Sequence, residues 1–177
     1  MSDTSPFAPL EKFYQRAGKA LPEIELLSGE AMPEPYKSLL VHERDMTSTL
    51  ERFHQSRCHV RALQYVEDDA YSRLVILELD GSRKPIEFGA ITIHLSAFAP
   101  HARELILARE RPLGTILHEE HVGFVSCPQA FFRVTADDLI CEALQEDLNT
   151  RLLGRCNRLS SPNGQLIAEI VEILPCK

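Results

Sequence analysis

Residues 165–174, QLIAEIVEIL, follow Asn163-Gly164 and have the composition of a β-strand at all but two positions. Alternation places Ile167, Glu169, Val171 and Ile173 on one face, and Leu166, Ala168, Ile170, Glu172 and Leu174 on the other. Whichever face is buried, a carboxylate lies among aliphatic side chains, where it requires a cation, donors or a ligand. SRLVILEL, residues 72–79, carries the opposite anomaly. Arg73 shares a strand face with Val75, Leu77 and Leu79, so a guanidinium opens an apolar stripe. Two arrangements satisfy both charges. In one, Arg73 and Glu169 pair across a sheet, or reach water near strand ends. In the other they bound a small polar pocket, the arginine gripping a ligand carboxylate and the glutamate meeting a ligand hydroxyl.

Other residues offer weaker chemistry. Glu87 shares a strand face with Gly89, Ile91 and Ile93 and is equally suited to a salt bridge, while a mid-strand Gly89 suggests a bulge or a close backbone approach. Arg155 and Arg158, in GRCNRL, are surface charges or further anion contacts. HEEH, residues 118–121, supplies two imidazoles and two carboxylates, but His118 and His121 have no third ligand cluster. A solvated helix end is expected there, and no metal. The five cysteines are scattered without a CxxC pair, which suits reduced packing thiols. Neither GxSxG nor a phosphate-binding glycine loop occurs.

The elements that must position these residues follow from periodicity. Residues 1–30 hold three prolines and predict a partly helical or loose arm; residues 31–177 form the domain proper. YKSLLVHE is a short helix signal, and Asp45 is a natural N-cap for a helix from Met46 whose apolar stripe is Met46, Leu50 and Phe53. From Cys58 the period becomes two. CHVRALQYV, SRLVILEL and KPIEFGAITIHL read as strands, the last two joined at Asp80-Gly81. A helix from Ser96 and a short one in RPLGTILHEE follow, then the strands VGFVSC and QAFFRVT. A helix opened by Asp137 and Asp138 precedes a closing hairpin about SPNG. Tight turns between strands imply an antiparallel sheet with helices over it, in a single α+β domain.

Composition narrows the function classes. The chain has 177 residues, 44% hydrophobic and 25% charged, enough for one substantial core. A net charge of −7 and a pI near 5.5, with no basic stretch, argue against a nucleic-acid partner. No apolar run approaches a membrane span and the N-terminus lacks signal-peptide features, so a cytoplasmic protein is expected.

DMTSTLERF, SRLVILELDG, FGAITIHLSAF, RPLGTIL, GRCNRL and IAEIVEILP, in this order, resemble the chorismate lyase (chorismate–pyruvate lyase) family, in a divergent branch, over residues 35–175. The resemblance implies a six-stranded antiparallel sheet with helices on one face and a ligand buried beneath helical flaps. It implies Arg73 for the ligand carboxylate and Glu169 for the 4-hydroxyl as the catalytic pair. Met46 and the backbone of Leu113 would be substrate contacts. Better-known members carry an arginine directly after the glycine of the third strand. Here that residue is Ala90, and Arg155 or Arg158 is the expected substitute.

The implied reaction converts chorismate to 4-hydroxybenzoate and pyruvate, feeding quinone or phenolic-metabolite synthesis. The C3–O bond breaks and the C4 hydrogen passes to the enolpyruvyl methylene. Orientation and charge stabilisation suffice, so no cofactor is expected. One alternative is a non-catalytic aromatic-acid sensor of the same fold, set second because the chain is acidic and no DNA-binding segment precedes the domain. The other is a related lyase acting on a different enolpyruvyl or hydroxybenzoate compound.

Overall fold

The strand signals resolve into one antiparallel sheet. The structure is a computed structural model describing residues 5–67 and 70–176. Its strands are β1 (Ile24–Leu27), β2 (Cys58–Glu67), β3 (Tyr71–Leu79), β4 (Pro85–Ile93), β5 (Val125–Thr135), β6 (Arg151–Ser160) and β7 (Leu166–Leu174), in the order β1-β5-β6-β7-β4-β3-β2. The helices are α1 (Ala8–Arg16), α2 (Tyr36–Leu40), α3 (Met46–His54), α4 (Pro100–Ala108), α5 (Leu113–Glu119) and α6 (Asp138–Leu144). Gly81 and Gly164 take the positive φ that the two hairpin turns demand. Asp45 caps α3 by accepting from the Ser48 amide at 2.8 Å, and Asp137 caps α6 through the Ile140 amide at 3.1 Å.

The α+β class and antiparallel sheet are those expected, with two differences of detail. A seventh strand, β1, joins the edge by pairing with β5. Its four residues are too few to declare a period. Helices also cover both faces. On one, Leu10 and Phe13 of α1 and Ile140 of α6 pack against Leu74, Ile76, Phe88 and Val171. On the other, α2 and α3 lie on Val75, Leu77 and Leu153, while α4 and α5 lie near Ile91 and Leu159. The central strands are therefore buried on both sides, which explains their near-continuous apolar runs.

Within the expected 1–30 arm, residues 1–4 lie outside the described residues, whereas α1 and β1 are part of the core and sheet. Lys177 also lies outside them. VGFVSC and QAFFRVT fuse into β5 across an irregularity between Pro128 and Ala130. The helix expected from Ser96 begins instead at Pro100, whose fixed φ suits the first turn, after a single 3₁₀ turn at Leu95–Ala97. No helix among the described residues is long and apolar enough to cross a membrane.

Gly154 in β6 is required by packing, because a Cβ there would collide with the Glu172 carbonyl and the Phe132 ring. Gly154→Ala should cost about 1–3 kcal/mol and lower the Tm by about 3–9 °C, measured by thermal denaturation.

Candidate functional site

Two rows of side chains on one sheet face define the site. Arg73, Ile91, Ile170 and Asn157 stand side by side across β3, β4, β7 and β6. Val75, Gly89, Glu172 and Arg155 form the next row. Above them, Met46 and Thr47 at the start of α3 and Pro112, Leu113 and Gly114 at the start of α5 enclose a cavity of about 50 Å³. Gly89 leaves its floor open, since a Cβ would stand 3.1 Å from Glu87 Oε1 and 3.3 Å from Val75 Cγ2. Gly114 lets the two covering helices touch: a Cβ there would lie 2.7 Å from Asp45 Oδ1.

Arg73 is 2% exposed and lines this cavity. Its Nη2 donates to the Arg111 carbonyl at 3.3 Å, but Nε and Nη1 have no hydrogen-bond partner, and no carboxylate among the described residues forms an ion pair with it. Burial lowers its pKa, against the opposing effect of Tyr71. The Tyr71 hydroxyl is likewise buried without a partner among the described residues. Burial raises the phenol pKa, and Arg73 and Arg109 oppose the rise.

Arg155 is fully buried and fully engaged. Its Nε donates to Glu172, Nη1 to the carbonyls of Leu40 (3.2 Å) and His42 (3.0 Å), and Nη2 to that of Arg44 (3.1 Å). Burial and the Arg155 charge push the His42 pKa down to about 4, so that ring is neutral at pH 7. Glu87, 5% exposed, has an unpartnered Oε2. Burial first, then Glu172, raise its pKa well above the usual carboxylate range, with Arg155 opposing. At the cavity rim, burial works to raise the Asp45 pKa. The Ser48 hydroxyl and amide and His118 outweigh it, and the carboxylate is held below its ordinary value. His118 Nε2 reaches Asp45 Oδ2 at 2.9 Å and so ties α5 to α3.

Glu172 is matched by Arg155 and Asp45 lies against His118, while burial and the neighbouring Glu172 drive the Glu87 carboxyl toward its protonated form. Among the described residues, no anion pairs with Arg73.

The structure brings Arg73, Met46 and Leu113 together around the cavity, but places Glu169 elsewhere. Glu169 points from the opposite face of β7, side-chain exposure 21%, beside Arg158 at 3.1 Å and His94 at 3.7 Å. The β7 carboxylate that lines the cavity is Glu172, three residues on and therefore on the other face. Arg158, 42% exposed, shares Glu169's face and does not reach the cavity. Arg155 does not line the cavity either, but holds Glu172. Ala90 points away from the cavity into the core beneath α1 and α6, so the residue following Gly89 is not where a replacement arginine is needed. Glu87, read as a possible salt-bridge partner, is a cavity residue without a cation of its own. The HEEH side chains serve separate partners: His118 meets Asp45, Glu119 meets Arg111 at 2.7 Å, and Glu120 lies 3.7 Å from His101. No three potential metal ligands cluster among the described residues.

No family model and no curated protein matches the chain. Solved structures do. The ligand-binding domain of a GntR-family transcriptional regulator from Bordetella bronchiseptica superposes with a TM-score of 0.53 at 14% identity, over 68% of this chain and 86% of that one. The effector domain of PhnF from Mycobacterium smegmatis gives 0.56 at 11%, over 74% and 88%. The fold is that of GntR-family ligand-binding domains. A gene product from Staphylococcus aureus gives a TM-score of 0.57 at 8% identity, over 77% and 90%. This is the chorismate lyase-like architecture, shared at the level of fold.

The two buried arginines should respond oppositely to removal of charge. Arg155→Met leaves Glu172 buried and unpaired and should cost about 3–5 kcal/mol. Arg73→Met removes an unmatched buried charge and should leave the ligand-free protein at least as stable as wild type. Thermal melts of both variants test the contrast. A strongly destabilised Arg73→Met would mean that Arg73 is structural.

Proposed function

We propose that this domain binds a compact carboxylate in the cavity between Arg73 and Glu172, as a non-catalytic ligand-binding domain. The observation that carries the reading is the buried guanidinium of Arg73, with two nitrogens unpartnered and no ion-paired carboxylate among the described residues. A ligand carboxylate supplies both the missing charge and two acceptors in the geometry of the fork. The cavity of about 50 Å³ favours a small, flat acid, because pockets for drug-sized ligands begin near ~300 Å³. The ligand-binding and effector domains among the structural neighbours are consistent with this reading.

A second reading, chorismate lyase, has a specific observation in its favour. Arg73 and a glutamate of the last strand, Glu172 in place of Glu169, share the cavity with Met46 and Leu113, although neither Arg155 nor Arg158 lines it as a substitute for an arginine at Ala90. Arg73 would hold the ring carboxylate while Glu172, paired with Arg155, met the hydroxyl at C4. Covered by α3 and α5, the cavity would limit water as the C3–O bond broke.

One set of measurements tests both readings. Calorimetry should show 4-hydroxybenzoate binding, weakened about 2–4 kcal/mol by Arg73→Met and not fully restored by Arg73→Lys. Binding that survives Arg73→Met unchanged would place the site elsewhere. Pyruvate release from chorismate, abolished by both Arg73→Met and Glu172→Gln, would select the lyase. Binding without pyruvate release would select the non-catalytic domain.

A further inference from the structure

The carboxylate-site reading assigns Arg73 and leaves Glu87 without a task. Glu87 is buried on the central strand β4, its Oε2 without a partner among the described residues, and it lines the same cavity. Its surroundings are acidic. Glu172 of β7 and Asp45 at the N-cap of α3 both act on it, and Glu87 in turn pushes up the Cys58 thiol at the start of β2. The cation facing it is Arg155 of β6, already committed to Glu172 and three carbonyls. Arg73 of β3 is the other buried cation of the cavity, but it lies two side-chain rows away along the sheet. A second negative charge at Glu87 would therefore share one cation with Glu172.

Resting on the carboxylate-site reading, we propose that Glu87 is a specificity-determining residue. It stands in the cavity as a neutral carboxylic acid and donates a hydrogen bond to an uncharged oxygen at the end of the ligand remote from Arg73. The ligand class is then a rigid carboxylic acid carrying a hydroxyl or carbonyl at its opposite end.

Sheet geometry sets the length. The Cα of Arg73 stands about 12 Å from that of Glu172 and about 14 Å from that of Glu87, from strand spacing and rise. After the arginine stem is subtracted, a single ring with its two substituents spans the remainder. Gly89 lies between the two ends and leaves room for it. At the far end, Glu172 is an acceptor and Glu87 a donor, a pair suited to a hydroxyl. A cationic end would instead draw the proton from Glu87, and an anionic end would meet Glu172.

The test uses the full chain with benzoate, 4-hydroxybenzoate and 4-(aminomethyl)benzoate in calorimetry. Wild type should prefer 4-hydroxybenzoate to the other two by about 10-fold. Glu87→Leu should remove that preference, lowering affinity for 4-hydroxybenzoate about 10-fold and for benzoate no more than about 3-fold. Glu87→Gln, a neutral donor of the same shape, should restore it.

As pH rises above the ordinary carboxylate range, wild-type affinity for 4-hydroxybenzoate should fall as Glu87 ionises, while Glu87→Gln stays level. A ligand-free readout separates this proposal from the reading beneath it. A carboxyl whose folded pKa is raised loses stability as pH climbs from its unfolded value toward its folded one. The melting temperature of Glu87→Gln should therefore gain on wild type over that range. A constant difference between the two melts would overturn the neutral Glu87, as would tighter binding of the aminomethyl compound. Failure of wild type to bind benzoate and 4-hydroxybenzoate, with the melts diverging as expected, would overturn the carboxylate site and with it the donor role of Glu87, leaving only its protonation.

Discussion

The guanidinium of Arg155 is the fixed point on which the site depends. It lies at the bottom of the sheet face, bound to Glu172 of the neighbouring strand and to the carbonyls of Leu40, His42 and Arg44. Those carbonyls belong to the connection that ends at Asp45, and Asp45 starts α3. One side chain thus fixes the acidic end of the cavity and the point at which its cover leaves the sheet. Asp45 carries the linkage one step further, to His118 and α5. A buried ion pair of this sort adds little net stability over an apolar pair, because desolvation offsets most of the attraction. Its worth here is geometric: the rigid planar guanidinium joins one carboxylate of β7 to three carbonyls of residues 40–44, two parts of the chain distant in sequence.

The opposite behaviour of Arg73 gives the site its asymmetry. Both arginines are buried in the same sheet face, with two strands between them, yet one is saturated by the protein and the other is not. Fold likeness alone does not assign chemistry, since one architecture serves many ligands. The distribution of satisfied and unsatisfied groups within the cavity carries that information.

Much of this was legible in the sequence, and the failure at Glu169 is instructive. Hairpin turns, caps and the change of period announced the sheet and most helices, whereas an arginine on the Val75–Leu77 face left a cross-sheet ion pair and a polar pocket both open. The last hairpin hid the rest. Its register sets Arg155 opposite Glu172 and Arg158 opposite Glu169, two Arg–Glu pairs on opposite faces. Both faces of β7 carry aliphatic residues because helices cover both sides, so alternation cannot say which pair faces the cavity. Burial separates them, 0% and 3% for the inner pair against 42% and 21% for the outer. That depends on α3 and α5 crossing above β7, a long-range fact. β1 was missed for a local reason, being four residues whose pairing partner lies about a hundred positions away.

The bare backbone at Gly89 separates two properties that binding sites usually entangle. Arg73 and the Arg155–Glu172 pair reside on β3, β6 and β7, whereas the depth of the cavity floor is set at one position of β4. A methyl group there would press on Val75 and Glu87 and shorten the floor without touching Arg73 or the Arg155–Glu172 pair. In evolutionary terms, a single nucleotide change from glycine to alanine would shrink the cavity while leaving both arginines in place.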